Sequence, residues 1–296
     1  MIAPHPAGNR QSDIHHRAEE LAAGLPPLLV AAERVAATVS QGVHGRRRVG
    51  QGETFWQFRR YQPGDEIGRI DWRQSAKSMR VFVRENEWEA AESVWLWCDG
   101  SPSMSFSSHL SRATKAERAQ LLALALAVLL VRGGEHVALL GADRRPSTGR
   151  ATLTRLSHGL GRDGTTASLP PLVDLPRYAQ IVVIGDLLAP IEDIEAMVRH
   201  FTNRGVRGHL LQVLDPAEET LPFAGHTLFE GLEDEGTMLT RRAEELRRAY
   251  VARLAAHRAA IADFARAARW RLGQHHTDRP AQEALMALYV ALAGHA

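Results

Sequence analysis

The stretch Val94 to Ser105, V-W-L-W-C-D-G-S-P-S-M-S, constrains this chain more than any other. Val94 to Cys98 is a short apolar run with two tryptophans, the mark of a buried strand. It stops abruptly at Asp99. Gly100, Ser101, Pro102 and Ser103 continue neither a strand nor a helix. A carboxylate and two hydroxyls therefore alternate just beyond a strand's carboxyl end, the edge of an open α/β sheet where ligands bind. Asp99, Ser101 and Ser103 form a D-x-S-x-S pattern, and two readings of it are open. An oxygen-only set with a single charge suits a hard cation such as Mg²⁺. The same residue types are also the preferred caps of a following helix.

The pattern of an apolar run ending on a carboxylate recurs. Gln180 to Gly185 ends at Asp186, and His209 to Leu214 ends at Asp215-Pro216. Between these runs lie helical stretches. The first begins around Ala113 to Glu117 and runs to Gly133-Gly134, a C-cap signal. It is apolar on nearly all sides and belongs against a sheet. His136 to Leu140 reads as a strand, Thr152 to Leu160 and Ile191 to Thr202 as helices. Strand alternating with helix predicts an α/β fold: a Rossmann-like, doubly wound, mainly parallel sheet. Short apolar pieces, Thr227 to Phe229 and Thr237 to Leu239, predict a hairpin around E-D-E-G. A long helix is expected next, over Arg241 to Arg269. The last strand is Arg271 to His275, and Thr277 or Asp278 is expected to cap a final helix through Ala293. His275 and His276 are adjacent on that strand, so they point to opposite faces and read as structural.

Composition narrows the function classes. The chain has 296 residues with a net charge of +2, so no global field draws it to nucleic acid. Its one cysteine, Cys98, excludes an internal disulfide and a cysteine-based zinc site, and reads as a buried, inert thiol. The N-terminus lacks the apolar core of a signal peptide, and Leu121 to Val131, the longest apolar run, is too short to span a bilayer. These features predict a cytoplasmic protein with no membrane span.

The N-terminal part divides into residues 1–11, expected to be a disordered tail, and residues 12–80, expected to be helices and an Arg/aromatic segment packed on the main domain, 81–296. Leu28, Leu29, Ala32, Val35 and Ala36 fall at helical spacing and predict an apolar helix face. Gly42 to Arg80 holds nine Arg or Lys and four Asp or Glu, interleaved with Phe55, Trp56, Phe58, Tyr61 and Trp72. Asp65, Glu66 and Asp71 lie among the arginines, so local pairing is the reading, with no nucleic acid expected. Pro63-Gly64-Asp65 is a turn signal. Asp71 is expected to pair with an arginine or to cap the Trp72 to Lys77 turn, and Trp72 is expected to be buried. Met79 to Glu87 alternates as a strand and is expected to pair antiparallel with the Val94 strand at one side of the sheet.

D-G-S-P-S-M, Asp99 to Met104, resembles the metal-ion-dependent adhesion site of von Willebrand factor A domains. R-R-Y-Q-P-G-D-E-I-G-R-I-D-W-R-Q-S-A-K, Arg59 to Lys77, resembles the signature of the bacterial family called "domain of unknown function 58". The resemblance extends from Gly42 to Ala293, with the two motifs in the family's order. It implies a von Willebrand A type of fold with an N-terminal helical and β appendage. In such sites a threonine from a second loop and an aspartate from a third join the D-x-S-x-S loop. G-T-T at Gly164 to Thr166 and I-G-D at Ile184 to Asp186 resemble those loops. The resemblance turns the open choice toward metal: Mg²⁺ or Mn²⁺, weakly held by Asp99, Ser101, Ser103, Thr165 and Asp186. Thr165 and Thr166 both suit the second loop. Where the family often has serine before the third-loop aspartate, this chain has Gly185.

The resemblance implies a protein–protein interaction module, in which a partner's carboxylate completes the ion's shell. The family also implies a MoxR-type AAA+ ATPase as partner, with this chain as its adaptor or co-factor. The competing class is an Mg²⁺-dependent hydrolase or phosphoryl-transfer enzyme at the strand-end site. No catalytic base or nucleophile, and no Gly-rich phosphate loop, stands out in the sequence.

Overall fold

Four apolar runs and the more polar stretch Arg271–His276 become five parallel strands in the computed structural model of the chain, which describes residues 27–40, 54–61, 70–77, 80–87, 93–160, 167–232 and 236–293. In chain order the elements are α1 (Pro27–Ser40), β1 (Thr54–Arg60), α2 (Trp72–Ser75), β2 (Phe82–Glu87), β3 (Ser93–Cys98), a 3₁₀ turn (Pro102–Ser105), α3 (Lys115–Arg132), β4 (His136–Leu139), α4 (Arg150–Leu160), β5 (Gln180–Gly185), α5 (Ile191–Asn203), β6 (Arg207–Leu214), α6 (Pro216–Thr220), β7 (Thr227–Glu230), β8 (Thr237–Thr240), α7 (Ala243–Ala267), β9 (Arg271–His276) and α8 (Ala281–Ala293). The expected tail 1–11, the helix expected from Ser12, the Pro63–Asp65 turn and the Gly164–Thr166 loop lie outside the described residues.

Residues 1–42 and 93–296 form one compact unit, and residues 43–92 form another. The larger unit is built on the sheet β4-β3-β5-β6-β9, parallel throughout. Successive side chains of a strand face opposite ways, so an apolar run with no polar interruption must be covered on both sides. In β3, Val94 and Leu96 join the core beneath α1, α3, α4 and α8. Trp95 and Trp97 join the core beneath α5 and α7. β5 divides the same way, Val182 and Ile184 to the first face, Ile181 and Val183 to the second. This is the doubly wound α/β arrangement that the sequence predicts.

α3 explains its own composition. Its residues Leu122 to Leu130 are all buried, because the sheet lies on one side and α1 and α8 pack on the other. Its start is marked by Thr114, whose side chain accepts the Glu117 N–H while the Glu117 carboxylate accepts the Thr114 N–H, a capping box. Ala32, Val35 and Ala36 of α1 are buried, as their spacing predicts, and Val39 continues the stripe.

The strand order places a topological switch between β3 and β5. The chain leaves β3 for β4 on one side, passes α3 and α4, then returns to β5 on β3's other side. Loops that leave two such strands diverge to opposite faces and open a crevice at their carboxyl ends. Asp99 and Asp186 stand at that crevice.

Three expectations are corrected. Phe82–Glu87 does not pair with the Val94 strand. It pairs antiparallel with β1 in a separate two-stranded sheet, while β3 is flanked on both sides by parallel neighbours. The alternation of Met79 to Glu87 gave the strand but not its partner. Trp72 is 64% exposed rather than buried. Thr277 and Asp278 lie in a turn, and α8 begins at Ala281, after Pro280, whose fixed φ suits the entry to a helix. Asp71 does sit directly before α2, and its carbonyl accepts the Ser75 N–H at 2.9 Å and the Ser75 hydroxyl at 2.7 Å.

Candidate metal-binding site

Register brings the first and third loops together. Cys98 pairs with Ile184 across β3 and β5, and the Asp99 N–H donates to the Ile184 carbonyl at 2.8 Å. The two carboxylates beyond these strands, Asp99 and Asp186, are 4% and 2% exposed. Gly185 makes their approach possible. A Cβ at Gly185 would stand 2.6 Å from Asp99 Cβ and 2.8 Å from Asp99 Oδ2.

The hydroxyls join the two aspartates into a chain. Ser101 donates both its N–H, at 2.8 Å, and its hydroxyl, at 2.6 Å, to Asp99 Oδ1. Ser103 donates its hydroxyl to Asp186 Oδ2 at 2.7 Å. The two serine oxygens stand 3.0 Å apart. Either serine could donate across that contact. In an octahedral magnesium shell with bonds of about 2.0–2.1 Å, neighbouring ligand oxygens lie about 2.9 Å apart. The spacing and the all-oxygen donor set fit a small hard cation.

The capping reading fares differently. Thr114 caps α3, so Asp99, Ser101 and Ser103 are not used there. Ser101 precedes the 3₁₀ turn, but its side chain accepts no N–H from it.

The third loop is held from several sides. Leu188 N–H donates to Asp186 Oδ1 at 3.2 Å. Leu187 has φ of 53°, in the left-handed region that a bulky residue seldom enters, and is 1% exposed. His257 of α7 contacts the Leu187 carbonyl at 2.7 Å, and Gln212 of β6 donates to the Asp186 carbonyl at 2.8 Å. Gln212 also accepts from Arg258 at 2.9 Å, and Arg258 pairs with Glu219 at 2.5 Å. Glu219 in turn pairs with His276.

The structure adds residues that the sequence does not single out. Lys115, wholly buried at the start of α3, donates to Asp186 Oδ2 at 2.9 Å and to Glu218 Oε1 at 2.6 Å. Burial alone would push its ammonium down, but Asp186 and Glu218 hold it above the ordinary lysine value. Burial pushes the Glu218 carboxyl up, against the pull of Lys115. Two carboxylates, Asp186 and Glu218, share one ammonium. The signals were present. Asp215-Pro216-Ala217-Glu218 is a capping box after a strand: Asp215 accepts the Ala217 N–H, and Glu218 accepts the Asp215 N–H. Lys115 is a charge at the first position of a helix that is apolar from Leu121 to Val131.

Of the sequence-predicted site residues, Asp99, Ser101, Ser103 and Asp186 come together, and Thr165 lies outside the described residues. Among the described residues no group of three His, Cys, Asp or Glu is arranged as metal ligands. Burial and the adjacent Asp99 push the Cys98 thiol far above its ordinary range, and its Sγ lies 3.7 Å from the Ala119 carbonyl. It stays protonated and is no nucleophile. His275 is 5% exposed, and His276 is paired with Glu219. Neither belongs to the loop cluster. No helix of the described residues is long and apolar enough to cross a membrane.

Similarity to known proteins gives the chain its family. Uncharacterized proteins of Mycobacterium bovis and of two strains of Mycobacterium tuberculosis are 26% identical over 297 residues, covering 93% of this chain and 90% of theirs. Among solved structures, an aerotolerance-related membrane protein from Bacteroides fragilis matches with TM-score 0.38 and 18% identity, over 66% of this chain and 96% of that one. The conserved hypothetical protein BatB from Bacteroides thetaiotaomicron matches with TM-score 0.36 and 17% identity, over 70% of this chain and 100% of that one. Residues 57–260 match the family described as "Protein of unknown function DUF58", and this chain belongs to that family.

Proposed function

We propose that the chain is a metal-dependent protein-interaction module that works in the cytoplasm. Ser101 and Ser103 would hold Mg²⁺ or Mn²⁺ directly, with Asp99, Asp186 and Thr165 direct or through water. When bound, the ion offers an electrophilic position to a carboxylate oxygen of a partner. The partner class implied by the family resemblance is a MoxR-type AAA+ ATPase, with this chain as its adaptor.

One observation carries the reading: two serine oxygens 3.0 Å apart, each within hydrogen-bond distance of a different buried aspartate. Four oxygen-bearing side chains are thereby gathered at one sheet edge, the donor set that a small hard cation takes. Few charged ligands make for weak affinity, since hydration competes well for magnesium. A partner carboxylate adds the missing charge, so metal and partner raise each other's affinity by the same factor.

The test is calorimetric titration of a MoxR-type ATPase into the full chain, with Mg²⁺ and then with chelator. Binding should weaken with chelator, and an Asp99→Ala variant should fold normally and lose the metal-dependent part. Equal affinity in both conditions, or an Asp99→Ala variant that binds as well as the parent, overturns the proposal.

A further inference from the structure

We propose that Lys115 is a tethered cation that competes with the divalent ion for Asp186 and thereby sets the affinity of the site. The inference rests on the metal reading of the loop cluster.

Lys115 is an expensive residue where it stands. It is 0% exposed, and a buried ammonium needs full compensation. It also occupies the first position of α3, the end where the helix dipole favours anions. Stability alone does not call for it, because replacing a buried ion pair with apolar side chains is often neutral or stabilising. What the position does provide is contact with one particular atom. Lys115 Nζ and the Ser103 hydroxyl both donate to Asp186 Oδ2, at 2.9 and 2.7 Å. The ammonium therefore draws on the same carboxylate oxygen that orients the serine pair.

Glu218 completes the device. It gives Lys115 a second carboxylate at 2.6 Å, from the next strand end of the same sheet edge. A divalent ion arriving at the serines repels the ammonium and takes up Asp186's charge. Lys115 can then rest on Glu218 without leaving the interior. In the absence of the ion, the ammonium compensates the buried Asp186 carboxylate. Lys115 holds the site assembled and lowers its affinity at once.

The experiment is Mn²⁺ titration into the full chain, by calorimetry and by the loss of the free-ion paramagnetic resonance signal. The proteins are the parent, Lys115→Met, Lys115→Gln, Glu218→Gln and Ser103→Ala, each checked for native circular dichroism. Removing a unit charge beside a divalent ion should tighten Mn²⁺ binding at least about tenfold in both Lys115 variants. Glu218→Gln leaves the ammonium to Asp186 alone and should weaken binding. Folded Lys115 variants that bind no tighter than the parent overturn the inference and leave the metal reading standing. Should Lys115→Met not fold, Lys115→Gln carries the test, since it keeps a polar donor without the charge. Should neither fold, a Lys115→Met/Glu218→Gln double variant, which removes the ion pair together, carries it: tighter Mn²⁺ binding than in Glu218→Gln supports the inference, and binding no tighter overturns it. If no protein in the set binds Mn²⁺, or Ser103→Ala binds as the parent does, the metal reading itself fails and the inference with it.

Discussion

Asp99 fills the space that a side chain at Gly185 would need: the missing Cβ would stand 2.6 Å from Asp99 Cβ. No real Cβ tolerates that distance, and Asp99 is held in place by its bonds to Ser101. Gly185→Ala must therefore displace the Asp99 carboxylate or spread β3 from β5. Overpacking of this kind costs about 1–3 kcal/mol. Urea denaturation should show that loss, and Mn²⁺ binding should fall with it. Parental stability in the variant would mean that Asp99 moves freely.

A second glycine supports the sheet's far side. A Cβ at Gly208 would lie 2.1 Å from Trp270 Cδ2 and Cε3, and Trp270 is 4% exposed beside Phe201. The indole lies flat on the backbone of β6. Gly208→Ala should destabilise by about 1–3 kcal/mol or more and shift tryptophan emission toward that of water-exposed indole. An unchanged midpoint and emission would contradict this packing.

Trp72 makes the opposite prediction. At 64% exposure it has little burial to lose, so Trp72→Ala should change stability by no more than about 0.5 kcal/mol. A thermal melt several degrees below the parent would show that the indole is covered in solution.

His275 links stability to pH. Burial, Arg118 and His276 push its imidazole down from 6.5 to about 4, with only Asp278 pulling the other way. In the unfolded chain it takes up a proton near pH 6.5, but in the fold only near pH 4. Between these values the unfolded state holds the extra proton, so stability falls as pH drops. The slope is at most that of one proton, about 1.4 kcal/mol per pH unit. Replacing His275 with glutamine should flatten the denaturation midpoint over that window relative to the parent. Parallel profiles would contradict the assignment.

β3, β4, β5 and β6 were legible because each is a short apolar run closed by a carboxylate or a turn. Asp99 and Asp186 could be paired for the same reason: both end a central strand, and a doubly wound sheet brings such ends to one edge. Local alternation could not choose a partner for Phe82–Glu87, because antiparallel pairing depends on a remote strand, here β1. Trp72 was misread because an aromatic among arginines gives no hydrophobic period from which to infer burial. Lys115 was hidden for another reason. A lysine opening a helix ordinarily faces water, and only the convergence of three strand ends turns this one inward onto Asp186 and Glu218.

Whether the paired serines face a cation is decided by titrating Mn²⁺ into the parent and into a Ser101→Ala/Ser103→Ala double variant. The hydroxyls contribute little to the apolar core, so the double variant should keep its native circular dichroism. One ion per chain is expected in the parent and none at that site in the double variant. Equal binding by the two proteins, or no binding by the parent at millimolar Mn²⁺, would contradict a cation held between Ser101 and Ser103.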